Sequence, residues 1–137
     1  MPKLSITAAE MVARARGRIA EIDAKTLIAR QGDARLVIVD IRDVRERQRT
    51  GWIPGSVHAP RGMLEFWVDP DSPYHKPIFA EDKEFVFHCA SGWRSALASG
   101  LFIRRRRPQW VQSGRNPPRD WNSQPYPPGR SLEYPPP

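Results

Sequence analysis

Glu84-Phe85-Val86-Phe87-His88-Cys89-Ala90-Ser91-Gly92-Trp93-Arg94-Ser95 is the stretch on which the fold of this chain turns. Its first half is a continuous run of apolar and aromatic residues, the pattern of a strand buried on both faces. Its second half is a tight glycine-containing loop that opens a helix. Cys89, the only cysteine in the chain, stands at the seam. A side chain at that seam faces the free N–H groups of a helix N-terminus, which favour negative charge. Thiolate is the reactive form of cysteine, so the position suits a nucleophile. A lone cysteine is by default a small buried apolar residue, but Gly92 and Arg94 in the same loop tip the balance toward chemistry.

Upstream, Leu36-Val37-Ile38-Val39-Asp40 repeats the theme: an apolar run that ends in a carboxylate. Thr7-Ala8-Ala9-Glu10 fits a capping box and predicts a helix to about Arg16, ending near Gly17. A short strand over residues 19–22 follows, and Asp23 caps a second helix reaching about Arg30. Arg42 to Arg49 predicts a charged short helix or loop, mostly a solvated face. Gly51-Trp52-Ile53-Pro54-Gly55 is a turn, and Ser56-Val57-His58-Ala59 is a short strand stopped by Pro60. Met63 to Val68 is an apolar patch ahead of the turn cluster Asp69-Pro70-Asp71-Ser72-Pro73. Ser95 to about Ile103 continues as a helix. Strands alternating with helices predict an α/β fold with a parallel sheet, in which ligands gather at the carboxyl ends of the strands. Asp40 and Cys89 both fall at such ends.

The chain has 137 residues, enough for one domain, and a formal charge of +7. That charge is uneven. Residues 1–99 hold 15 Lys/Arg against 13 Asp/Glu, whereas residues 100–137 hold 7 against 2 and nine of the fifteen prolines. The basic character therefore belongs mainly to the C-terminal stretch. Arg104 to Arg107 alone would hint at nucleic acid, but charge runs are usually solvated, so no nucleic-acid partner is expected. We expect residues 104–137 to form an Arg/Pro-rich disordered tail. A single cysteine excludes an internal disulfide, a resolving thiol and a Cys-rich zinc site. His58 and His75 show no metal-ligand spacing, so neither metal nor cofactor is expected. No apolar run is long enough to span a membrane. Residues 8–20 have some character of an Arg-rich transit segment, which Glu10 weakens. The expected compartment is the cytoplasm.

In order and combination, these motifs resemble the rhodanese-like (sulfurtransferase) domain family, in its single-domain type. The markers are Asp40-Ile41-Arg42, Glu46, Gly51 to Pro60 and, most specific, the strand leading into Cys89-Ala90-Ser91-Gly92-Trp93-Arg94-Ser95. The core match is 36–99 within a domain of 5–103. The resemblance implies a parallel sheet flanked by helices, and a Cys89 that carries sulfur as a persulfide. It implies a small anionic donor, thiosulfate or a mercapto acid, and a thiol or cyanide acceptor. Such domains continue with another apolar strand, a Gly-Gly turn and a closing helix. Residues 100–137 lack that order, so the sheet is expected to lack its last strand and helix, and a change of reading frame near 99–100 would account for the shift in composition.

The candidate site is Cys89 with the loop Ala90, Ser91, Gly92, Trp93 and Arg94, whose N–H groups can form an anion nest. Gly92 permits a backbone geometry that a Cβ resists. Arg94 is either a fork for a donor's oxygens or a brace for the loop. Trp93 is a pocket wall or packed core. Asp40 is expected to fix loops by hydrogen bonds, Arg61 to guide an anionic donor, and His88 to be a core residue. Two alternatives stand beside sulfur transfer: a non-catalytic binding or sulfur-carrier module, and a cysteine-dependent phosphatase or arsenate reductase. The latter enzymes place five residues between Cys and Arg to wrap a tetrahedral oxyanion. Here there are four, Ala90 to Trp93, which favours sulfur.

Overall fold

The computed structural model describes residues 3–102 and the backbone of 110–113. Five strands form one parallel sheet: β1 (Ala20–Asp23), β2 (Leu36–Asp40), β3 (Val57–His58), β4 (Glu84–His88) and β5 (Trp110–Ser113), in the order β1-β5-β4-β2-β3. The helices are α1 (Ala8–Arg16), α2 (Ala24–Ala29), α3 (Val44–Thr50), α4 (Leu64–Val68) and α5 (Trp93–Leu101). The α/β class and the parallel sheet follow the sequence pattern. Among the described residues no helix is long and apolar enough to cross a membrane.

The apolar runs of β2 and β4 pair along their full length, Leu36 with Glu84 through Asp40 with His88. Their side chains alternate between two cores. Val37, Val39, Phe85 and Phe87 join Leu64 and Trp67 of α4 and Phe79. Ile38 and Val86 join Ile22, Leu27 and Ile53. Burial on both faces is what the uninterrupted hydrophobicity of the two strands requires. A third cluster, Val12, Ala15 and Ala96, fastens α1 to α5. The helix starts are also local in origin. Thr7 and Glu10 exchange the two hydrogen bonds of a capping box, and Asp23 Oδ1 accepts from Thr26 N at 2.7 Å.

One expectation is overturned. The sheet does not lack its last strand, because residues 110–113 lie between β1 and β4. Trp110 to Ser113 pair with Ala20 to Asp23 on one side, and Trp110 and Val111 pair with Val86 and Phe87 on the other. Two facing strand edges with unpaired backbone groups reward any extended segment placed between them, whatever its flanking composition. The remaining tail expectations, for 104–109 and 114–137 and including the closing helix, lie outside the described residues. Residues 42–49 are, as expected, mostly exposed or half-buried, with Arg42 and Arg47 the two that turn inward and are buried.

Candidate active site

β4 delivers Cys89 to the carboxyl end of the sheet, and the chain turns there into α5. Gly92 caps that helix with φ +89°, a left-handed conformation that side chains with a Cβ resist. The turn folds the loop around the sulfur. Gly92 N–H donates to Cys89 Sγ at 3.1 Å and Ser95 N–H at 3.4 Å, while Ser95 Oγ lies 3.3 Å away. Cys89 and Ser95 are both fully buried. Donors converging on a sulfur at a helix N-terminus stabilise negative charge there.

Of the predicted loop residues, Gly92 touches the sulfur directly, and Ala90 and Ser91 form the turn between them, with Ser91 exposed. Trp93 is 47% exposed, so it is not packed core. Arg94 faces Glu46 in a two-pronged ion pair, Nη1 to Oε1 at 2.7 Å and Nη2 to Oε2 at 2.9 Å. This is the brace geometry. The pair raises the Arg94 guanidinium and, chiefly through the same hydrogen bonds, holds the Glu46 carboxyl below its ordinary value. Glu46 is placed by α3, where it completes a capping box with Asp43. One carboxylate thus starts one helix and ties it to the loop that starts another.

Asp40 lies in register with His88, at the end of the neighbouring strand. Its carboxylate accepts from Arg42 N and Nε at 3.0 Å each, from Arg42 Nη2 at 2.8 Å and from Arg47 Nη1 at 3.2 Å. Arg42 further donates to Thr50 Oγ1 and the Gly51 carbonyl, and Arg47 lies over the Trp52 ring. Burial alone would raise the Asp40 carboxyl. The Arg42 hydrogen bonds and the charges of His88, Arg42 and Arg47 outweigh it and hold the group below its ordinary value. Asp40 therefore fixes the loop after β2. His58 Nε2–H donates to the Arg42 carbonyl at 2.7 Å, and burial lowers its basicity. Arg61 pairs with Glu65 and lines a groove between α1 and α5. Its described ion pair is with Glu65, and no described hydrogen bond ties it to the Cys89 loop.

The family model for the rhodanese-like domain matches residues 23–116. The chain belongs to the rhodanese-like family. The match runs past residues 99–100, which counts against a change of reading frame there. A Rhodopseudomonas palustris protein of unknown function, described as a possible tyrosine phosphatase, is 45% identical. The alignment covers 83% of this rhodanese-like chain and 90% of that one, with a TM-score of 0.76. The thiosulfate sulfurtransferase of Pseudomonas aeruginosa is 24% identical over 80% of this chain and 20% of its own, TM-score 0.60. A single-domain sulfurtransferase of Saccharomyces cerevisiae is 16% identical over 71% and 85%, TM-score 0.55. These last two likenesses are of fold. The comparison with curated proteins gave no match.

Sequence reasoning missed three contributors to this rhodanese-like site. Ser95 was legible only as a helix residue, although its place in the first turn of α5 aims it back at the sulfur. Glu46 carried a family marker, yet its partner is 48 positions away. The Arg42 and Arg47 pairing also needed the fold. A carboxylate at a strand end followed by three arginines within seven residues was the available signal.

Proposed function

We propose that this rhodanese-like protein is a sulfurtransferase that works through a persulfide on Cys89. The observation that carries the proposal is the set of groups around Sγ: Gly92 N–H and Ser95 N–H donate to it and Ser95 Oγ lies 3.3 Å away, gathered at the N-terminus of α5. With thiosulfate as donor, the Cys89 thiolate attacks the outer sulfur and a new S–S bond forms. The bond from the outer to the inner sulfur breaks, and sulfite leaves with the electron pair. The terminal sulfur then carries the negative charge that the loop N–H groups suit. Cyanide or a thiolate takes that sulfur in turn, and the Cys89 thiolate is restored. A mercapto acid serves as donor where a keto group beside the sulfur-bearing carbon lets the C–S bond break and the electron pair leave as an enolate.

Intact-mass measurement after thiosulfate treatment tests the first step. One sulfur atom should be gained, lost again with cyanide, and absent in Cys89→Ser. A folded protein that gains no sulfur sinks the proposal.

A phosphatase is the second reading, and the 45% identical relative is the reason to state it. Two observations weigh against it. The loop has four residues between Cys89 and Arg94, and Arg94 spends both guanidinium prongs on Glu46. An oxyanion-gripping arginine would need those prongs for the phosphate. Turnover of an aryl phosphate, lost in Cys89→Ser, would reverse the order of the two readings.

A further inference from the structure

α1 and α5 cross closely because Gly100 has no side chain: a Cβ there would come within 3.1 Å of Ala15 Cβ. The two helices and the segment after β3 enclose a groove of about 360 Å³, within the size range of small-molecule sites. Its floor and walls are apolar, made by Ile6, Met11, Ala15, Leu97 and Leu101. Met11 is 39% and Leu101 62% exposed, so apolar surface is left open to solvent on both helices. Arg14, Arg18 and Arg61 also line it. Among the described residues Arg61 has Glu65 as a partner, whereas no hydrogen bond or ion pair ties Arg14 or Arg18 to another side chain. An apolar trough lined by three arginines and no carboxylate has a clear complement: a molecule with a hydrocarbon chain and one anionic head.

We infer that this groove binds an amphiphilic anion of the alkyl-carboxylate class, its chain on Met11, Leu97 and Leu101 and its head at Arg14 and Arg18. The site is separate from the Cys89 loop, and the inference does not depend on the sulfur chemistry. Leu97 and Leu101 nevertheless lie one and two turns beyond Trp93 on the same face of α5.

The test is calorimetric titration of the full chain with decanoate, below its micelle concentration, beside decyltrimethylammonium and butyrate. Decanoate should bind saturably, with both controls weaker by about tenfold or more. The double variant Arg14→Ala/Arg18→Ala should lose about tenfold in decanoate affinity while its thermal midpoint stays unchanged. Gly100→Ala, whose Cβ would stand 3.1 Å from Ala15 Cβ at the floor of the groove, should weaken decanoate without changing its preference over the cation. Equal binding of the cation overturns the assignment, as does unaltered binding in the double variant or the absence of saturable binding. So does a dimer in sedimentation that the double variant dissolves, because the groove would then be a contact between two copies of the chain.

Discussion

At the carboxyl end of β2, Asp40 is enclosed by Arg42 and Arg47, one buried carboxylate shared between two guanidinium groups. One strand over, at the end of β4, the Cys89 sulfur is held by backbone N–H groups and the Ser95 hydroxyl, and the nearby arginine is turned away toward Glu46. Both ends lie at the same level of the sheet, since Asp40 pairs with His88. The difference shows how this fold divides its labour. Formal charges are tied into ion pairs that fix the loops, while the backbone N–H groups of a helix start make the direct contacts to the nucleophile.

Exchanging one atom in each region breaks the comparison most sharply. Cys89→Ser should reduce sulfur transfer by about a thousandfold or more, with the unfolding free energy changed by less than about 1 kcal/mol. Steady-state thiosulfate:cyanide assays and urea titration measure the two. Asp40→Asn should do the reverse in kind. It leaves two buried guanidinium groups without their counter-charge, a loss of about 3–5 kcal/mol in urea unfolding. A stable Asp40→Asn protein that had lost only activity would place Asp40 in the chemistry and dissolve the contrast.

The Arg94–Glu46 brace should fall between these extremes. Its two side chains are 40% and 22% exposed, so the pair contributes at most about 1 kcal/mol to stability. Its value is positional. Arg94→Lys keeps the charge but loses the fork, and Glu46→Gln keeps the shape but loses the charge. Each should cost about tenfold in kcat with little change in the denaturation midpoint. If the effect fell on the affinity for an anionic donor instead, Arg94 would be a substrate contact, and the fork would have to leave Glu46 during turnover.

How much of this was legible beforehand depends on how far apart the interacting residues lie. The β2 and β4 runs declared strands buried on both faces, because hydrophobicity without alternation has few other outcomes. Thr7-Glu10 and Asp23 declared helix starts through partners three residues away. Cys89 could be placed at a strand–helix seam from twelve consecutive residues. The Arg42 and Arg47 pairing was hidden because a charged helix reads as solvated until the sheet supplies a buried carboxylate beneath it. β5 was hidden for a different reason. Its four residues sit in Arg/Pro-rich sequence, and the incentive to extend comes from the edges of β1 and β4, not from the segment itself. The fork between Arg94 and Glu46 spans 48 positions, and no local pattern could foretell it.

The smallest predicted effect separates the two regions by pH. Asp40 titrates below its ordinary value of 3.8, so as pH falls the unfolded chain takes up its proton first. The stability Asp40 provides is therefore complete above about pH 5 and is lost as pH drops toward and through its folded value. His58 acts in the same direction at higher pH. Burial depresses it below 6.5, so the unfolded chain binds its proton first, and stability begins to decline below about pH 7. Unfolding free energy measured from pH 8 to 3 should thus fall in two stages. His58→Gln should remove the upper stage alone, and Asp40→Asn should diminish the lower, to which Glu46 also contributes. Cys89→Ser should leave both stages in place, because neither group that titrates is the one that reacts.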